Sequence, residues 1–349
     1  MNFLKFVFAF ALIFSAAPVF CEEYLLHTIM AHTDNVMSAD FSKDGNYVYS
    51  GGYDGRLVKW RMDNSEPLVY FSSDVVDAKG RSNNPNARVQ DKVKPKAHKE
   101  IINCVRVNRT SDTIATVSND TLIKIWSDSK EQMVKVLRGH SHYVNCVRFS
   151  PDGKRMITAG SDKRIIIWET QKPFGIVLTL TGHKDIVRSA NFSPDGLYIV
   201  SGGEDKTVRV WSAKTGKVVQ TASDHTGTVT SVSFDPSGKR IASASEDGTV
   251  IIWDFQNNTL IKDVILDHKI AVKVVAFSPD GKLLATGSQD SDIRLWDAIT
   301  GEYLISLIGH SFAVNDLSFS SDGKRLVSAS DDGSVKVWGP LNSDSLVSK

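Results

Sequence analysis

What this sequence has little of is charge of one sign, cysteine and long apolar runs. Lys and Arg number 41 against 40 Asp and Glu, for a formal net charge of +1. That balance removes the usual electrostatic reason for binding a phosphate backbone or an anionic membrane, so nucleic acid is not an expected partner. Cysteine occurs only at Cys21, Cys104 and Cys146. The one long apolar run, 6–20, is short for a membrane span, which needs roughly 20 residues. What is present is enough for a folded protein: 349 residues, 41% of them hydrophobic, can bury the core of one large domain or two ordinary ones.

The first 21 residues differ from the rest. A single Lys5 precedes the apolar run, which ends at Cys21 before an abrupt switch to Glu22 and Glu23. This is the layout of a secretory signal peptide, with Val19 and Cys21 at the −3 and −1 positions. Cleavage after Cys21 predicts a mature chain starting at Glu22 in a secreted or periplasmic setting. An uncleaved N-terminal membrane anchor is the alternative; Pro18 and Phe20 argue against a lipoprotein signal. Cleavage leaves Cys104 and Cys146 as the only thiols, which invites a disulfide reading.

The stretch SASEDGTVIIW, 243–253, carries Ser243 and Asp247, and His225 lies upstream, as a hydrolase triad would need. The same residues recur. Trp stands at 60, 126, 168, 211, 253, 296 and 338. Six residues before each is Asp54, Asp120, Asp162, Asp205, Asp247, Asp290 or Asp332. Ten before is a hydroxyl: Ser50, Thr116, Thr158, Ser201, Ser243, Thr286 or Ser328. Twenty-eight before is a histidine: His32, His98, His140, His183, His225, His268 or His310. One active site needs one triad, so seven equivalent copies assign these residues to a repeated structural unit. No catalytic residue, metal site or cofactor is expected.

These seven copies, Trp60, Trp126, Trp168, Trp211, Trp253, Trp296 and Trp338 with their partners, resemble the WD-repeat β-propeller family over residues 24–338. The Trp-Asp pair itself survives only at Trp253-Asp254 and Trp296-Asp297. The resemblance implies a hydrogen-bonded His, Ser/Thr, Asp, Trp tetrad in each blade. It implies an all-β fold: a seven-bladed propeller of four-stranded antiparallel blades over 22–338.

Each unit reads as short β-branched or aromatic runs between turns such as Pro151-Asp152-Gly153, where Pro presets φ and Gly accepts a positive φ. After Trp338 only a polar tail, 339–349, remains, so the seventh unit lacks its outer strand, while Tyr24 to Ile29 forms a strand without a blade. The N-terminal strand therefore closes the ring, which removes free sheet edges. About 72–97 is an insertion with little core-forming sequence, read as a surface loop or a partner-binding element. Cys104 and Cys146, six residues after their tetrad histidines, are expected to point the same way around the ring and to serve packing, unbridged. Glycosylation sequons occur at Asn108, Asn119, Asn191 and Asn257, with Asn108 and Asn257 in predicted turns and Asn191 in an inner strand.

The function implied by the resemblance is a non-enzymatic scaffold, a monomeric propeller within a complex, binding a protein or peptide on the face that carries the loops before the inner strands. Family contact positions lie three and five residues after the tetrad His and one before the tetrad Asp. Carried over, the prime candidates are Met37, Tyr53, Asn103, Tyr143, Asn145, Arg188, Glu204, Thr230, Glu246, Lys273, Gln289, Asn315 and Asp331. Glu204, Glu246 and Asp331 predict an acidic rim around a channel mouth of mixed charge. The rival reading is a secreted or periplasmic propeller enzyme acting on a small substrate at that mouth. Against it, only His27 and His142 lie outside the tetrads, in unrelated positions.

Overall fold

A computed structural model describes residues 24–62, 65–72 and 96–347. The leader and all but the margins of the 72–97 insertion lie outside the described residues. At its C-terminal margin, Ala97 is buried and its N–H donates to Gly55 O at 3.0 Å.

Blade three illustrates how sequence becomes sheet. Its inner strand Val144–Phe149, second strand Arg155–Gly160, third strand Arg164–Glu169 and outer strand Ile176–Thr181 pair antiparallel in that order. The turn between the first two is self-satisfied: Ser150 Oγ donates to Asp152 Oδ1 at 2.6 Å. Gly153 there has φ 67°, and Gly196, Gly238 and Gly281 in the equivalent turns have 69°, 72° and 72°. A Cβ is strained at such angles, which is why the turn demands glycine. Six further sheets of four strands repeat the plan, confirming the seven-bladed all-β propeller.

Second strands are buried almost end to end because neighbouring blades cover both faces of each sheet. Seven hydrophobic clusters result, one between each pair of blades. Between blades three and four, for example, Ile157, Ile165 and Leu180 pack on Val187, Ile199 and Trp211. A fully buried Trp removes about 150–250 Å² from water, worth roughly 4–6 kcal/mol as an upper bound.

The ring closes as expected. Leu25–Met30 pairs with Ser334–Trp338, with Thr28 opposite Lys336 and Ile29 opposite Val335. The cluster at this seam joins Ile29, Phe41 and Trp60 to Val327 and Val337. The segment beyond Trp338, polar in sequence, is docked over its described part. Leu341 and the Leu346 of a short helix, Ser343–Val347, are buried against Leu283, Leu307 and Leu326, and Ser343 Oγ donates to Asp280 at 2.6 Å.

Candidate interaction face

Six tetrads are connected as the resemblance implied. In blade four His183 Nδ1 lies 2.9 Å from Asp205 Oδ2, its Nε2 lies 2.7 Å from Ser201 Oγ, and Trp211 Nε1 donates to the same hydroxyl at 2.8 Å. Because the carboxylate accepts from Nδ1–H, Nε2 is left to accept from the hydroxyl, and one proton order runs through the tetrad. Burial pushes the Asp205 carboxyl up. The bonds from His183, the Lys184 N–H and Thr207 outweigh that and hold it well below the ordinary range. The same balance brings Asp162 down to about 2. The equivalent contacts are 2.8 Å for His32–Asp54, 2.9 Å for His98–Asp120 and His140–Asp162, 3.0 Å for His225–Asp247 and 2.8 Å for His310–Asp332.

Blade six departs from this pattern and corrects the sequence reading of seven like tetrads. His268 keeps Thr286 at 2.8 Å and Trp296 donates to Thr286 at 2.9 Å, but Arg294 stands between His268 and Asp290. Its guanidinium donates to His268 Nδ1 and, at 2.7 Å, to Asp290 Oδ2. A guanidinium can only donate, so Nδ1 must accept and the ring proton sits on Nε2, the reverse of the other blades. Burial and then the Arg294 charge lower His268 to about 4.

The positions three and five after the histidine and one before the aspartate meet on one face in every blade. A backbone N–H from Tyr53, Asn119, Ser161, Glu204, Glu246, Gln289 or Asp331 donates to the carbonyl of Asn35, Ile101, Tyr143, Ile186, Thr228, Ala271 or Ala313, at 2.8–3.0 Å. Each inner strand also carries a β-bulge here. In blade three Val144 faces Gly160 and Cys146 faces Ala159, leaving Asn145 unpaired. The bulge re-aims the extra residue. As a result Met37, Asn103, Asn145, Arg188, Thr230, Lys273 and Asn315 all line one cavity of about 80 Å³ at the channel mouth.

Several of these groups are already engaged. Asn103, Asn145, Thr230 and Asn315 donate to the carbonyls of Val144, Val187, Val272 and Val36 in the next blade, at 2.8, 2.9, 2.7 and 3.0 Å. They latch neighbouring blades. Asn315 also donates to Asp331 at 2.7 Å, and Arg188 pairs with Glu204. The expected acidic rim is thus reduced at two of its three members, and Glu246 is left exposed.

Two apolar residues that the family positions do not cover stand on the same loops. Phe312 is 62% exposed and Ile270 46%, beside Tyr143 at 46% and Tyr53 at 43%. Phe312 O accepts from Ser330 Oγ at 3.1 Å, which seats it above blade seven. Both lie two residues after a tetrad histidine, a signal available in the sequence. Asn108 stands in its expected turn and is buried there: Nδ2 donates to Gly153 O at 2.9 Å, and Oδ1 accepts from Thr110.

The wall of the same cavity holds a buried ion pair. Arg106 of blade two meets Asp316 of blade seven with two contacts of 2.7 Å, and Ser38 of blade one donates to the same carboxylate at 2.5 Å. Cys104 and Cys146 are free and buried in the wall beside it. Among the described residues no cluster of His, Cys, Asp or Glu could hold a metal ion, and no helix is long and apolar enough to cross a membrane.

Compared with known families, the chain matches the model described as WD domain, G-beta repeat seven times, at 23–61, 91–127, 131–169, 174–212, 216–254, 261–297 and 301–339.

Proposed function

The chain belongs to the WD domain, G-beta repeat family, and from that premise we propose that it is a non-enzymatic platform that binds a protein or peptide on the face above the channel mouth. Propellers of this family are typically protein-interaction scaffolds. The observation that carries the reading is that Tyr53, Tyr143, Ile270, Phe312 and Glu246 are all exposed on the loops of the face whose central mouth is lined by Lys273 and Arg188. Exposed aromatic and aliphatic side chains on rigid loops are what an interface uses as anchors, while rim charges set association rate and salt dependence. Tyr143 and Phe312 would hold the partner, and Glu246 would meet a Lys or Arg of it. The leader supports placing the protein in a secreted or periplasmic compartment, where the partner would be sought.

The test is affinity capture with the mature protein from its own extracellular or periplasmic fraction, run beside a Tyr143→Ala/Phe312→Ala variant. A partner recovered in stoichiometric amount by the parent and lost by the variant supports the platform. A parent that captures nothing, yet turns over a small substrate in the same fraction, supports the enzyme reading. N-terminal sequencing decides the compartment: Glu22 as first residue supports secretion, and a chain from Met1 contradicts it.

A further inference from the structure

The two cysteines of the channel wall do more than fill space. At the equivalent position other blades place Ser38, Ser189, Ser231, Val274 and Asp316. Only blades two and three, which are neighbours, carry sulfur. Arg148 Nη1 lies 3.3 Å from Cys104 Sγ and 3.6 Å from Cys146 Sγ, so one guanidinium nitrogen serves both. Cys104 Sγ already reaches the neighbouring inner strand, 3.7 Å from Val147 O, next to Cys146. Cys146 Sγ lies 3.6 Å from Ala190 O of blade four, so the two sulfurs are brought together by the shared Arg148 guanidinium. Both line the cavity at the channel mouth, with exposures of 5% and 4%, so only a small reagent can reach them. Arg106 is paired with Asp316, the carboxylate facing the two thiols, and Arg148 is the cation in contact with both sulfurs.

We propose that Cys104 and Cys146 form a thiol site in the channel, in which Cys104 is the nucleophile toward a small hydroperoxide and Cys146 resolves the product into an inter-blade disulfide. In the first step the Cys104 thiolate attacks one peroxide oxygen and the O–O bond breaks. The departing oxygen takes a proton and leaves as water or alcohol, and Cys104 becomes a sulfenic acid. Cys146 sulfur then attacks Cys104 sulfur, losing its proton as hydroxide departs as water, and the S–S bond forms. Two thiols have lost two electrons to one peroxide.

The electrostatics fit these roles. Burial pushes the Cys104 thiol up, but the neighbouring Cys146 thiol and the charges of Arg106 and Arg148 outweigh it and bring it down to about 5. Cys146 is pushed up by its neighbour Cys104 and by burial, and stays protonated until the sulfenic acid forms.

The experiment uses the full-length reduced chain and hydrogen peroxide, followed by intact mass measurement and peptide mapping. The parent is expected to lose the two thiol hydrogens and to yield a cross-linked Cys104–Cys146 peptide. Cys146→Ser is expected to accumulate a dimedone adduct at Cys104, and Cys104→Ser to leave Cys146 unmodified. Serine at this position in three other blades makes both variants compatible with the fold, which their melting checks. Arg148→Gln should slow the reaction of Cys104 at neutral pH by about tenfold, by returning the thiol toward its ordinary range. Alkylation mapped to Cys104 in the reduced parent should be nearly flat between about pH 6 and 8, where an ordinary thiol speeds up roughly tenfold per unit. The proposal is overturned if the folded parent resists peroxide that oxidises the urea-unfolded chain, if dimedone lands on Cys146, or if Arg148→Gln changes nothing.

Discussion

The blade interiors and the face above the channel use the same repeat in opposite ways. Inside, one set of residue types stands in seven copies. On the face, no two blades share the same trio of residues at the positions three and five after the histidine and one before the aspartate. The interior spends its polar groups on itself, as when His183, Ser201, Asp205 and Trp211 satisfy one another. The face leaves Tyr143, Phe312 and Glu246 exposed. Repetition therefore marks what the fold needs, and variation marks where recognition can differ from blade to blade. Two places cross the division: Asn145 varies like a face residue yet latches blades, and Asp290 repeats like an interior residue yet has lost its histidine.

Interior changes should alter melting and leave the face intact. The largest effect is expected from deleting residues 24–30, which strips the seam strand from Ser334–Trp338 and bares a sheet edge. Loss of cooperative melting with aggregation, read by calorimetry and light scattering, is the expected outcome; an unchanged monomer would break the closure account.

Next is Asp205→Ala, which removes the charged partner of His183 and should cost about 1.5–3 kcal/mol in denaturant unfolding. Asp290→Ala should cost less than half as much. His268 keeps its bond from Arg294, and Asp292, 3.6 Å from the same guanidinium, remains to balance it. Equal costs would show that blade six is no exception.

The exception also has a pH signature. His268, His98 and His310 are lowered by burial, His268 to about 4. A histidine that resists protonation when folded but accepts a proton near pH 6.5 when unfolded contributes stability above that pH and loses it on acidification. Melting temperature should therefore fall between about pH 6.5 and 4, before the tetrad aspartates begin to protonate. Proton NMR should show the His268 ring still neutral at pH 5, with its nitrogen-bound proton on Nε2.

The smallest effect is that of Asn145→Ala, which loses the bond to Val187 O and should cost about 1 kcal/mol. A variant that melts like the parent but binds more weakly would return Asn145 to the face.

The ring was legible in the sequence because its determinants are local and repeated: Trp, Asp, hydroxyl and His at fixed offsets, and Ser-Pro-Asp-Gly turns. Closure by the N-terminal strand followed from counting strands. What was not legible depends on which partner a long side chain reaches, within a blade or between blades. No spacing rule distinguishes Arg294, which displaces a tetrad bond, from Lys336 at the same offset, which reaches Thr28 at 3.0 Å. Pairing of Arg106 of blade two with Asp316 of blade seven, 210 residues apart, and of Arg188 with Glu204 inside blade four is likewise a matter of side-chain reach. Leu341 and Leu346 were hidden because two apolar residues in a polar segment carry no period.

The most direct measurement compares partner binding to the parent, to Tyr143→Ala/Phe312→Ala on the proposed face, and to Lys239→Glu in a turn on the opposite face. Quantitative capture is read beside melting temperature. The account predicts binding weakened at least tenfold by the double substitution, since a buried aromatic anchor is worth more than about 1 kcal/mol, with melting unchanged and Lys239→Glu like the parent. Binding that survives the double substitution and falls with Lys239→Glu would place the partner on the other face and contradict the account.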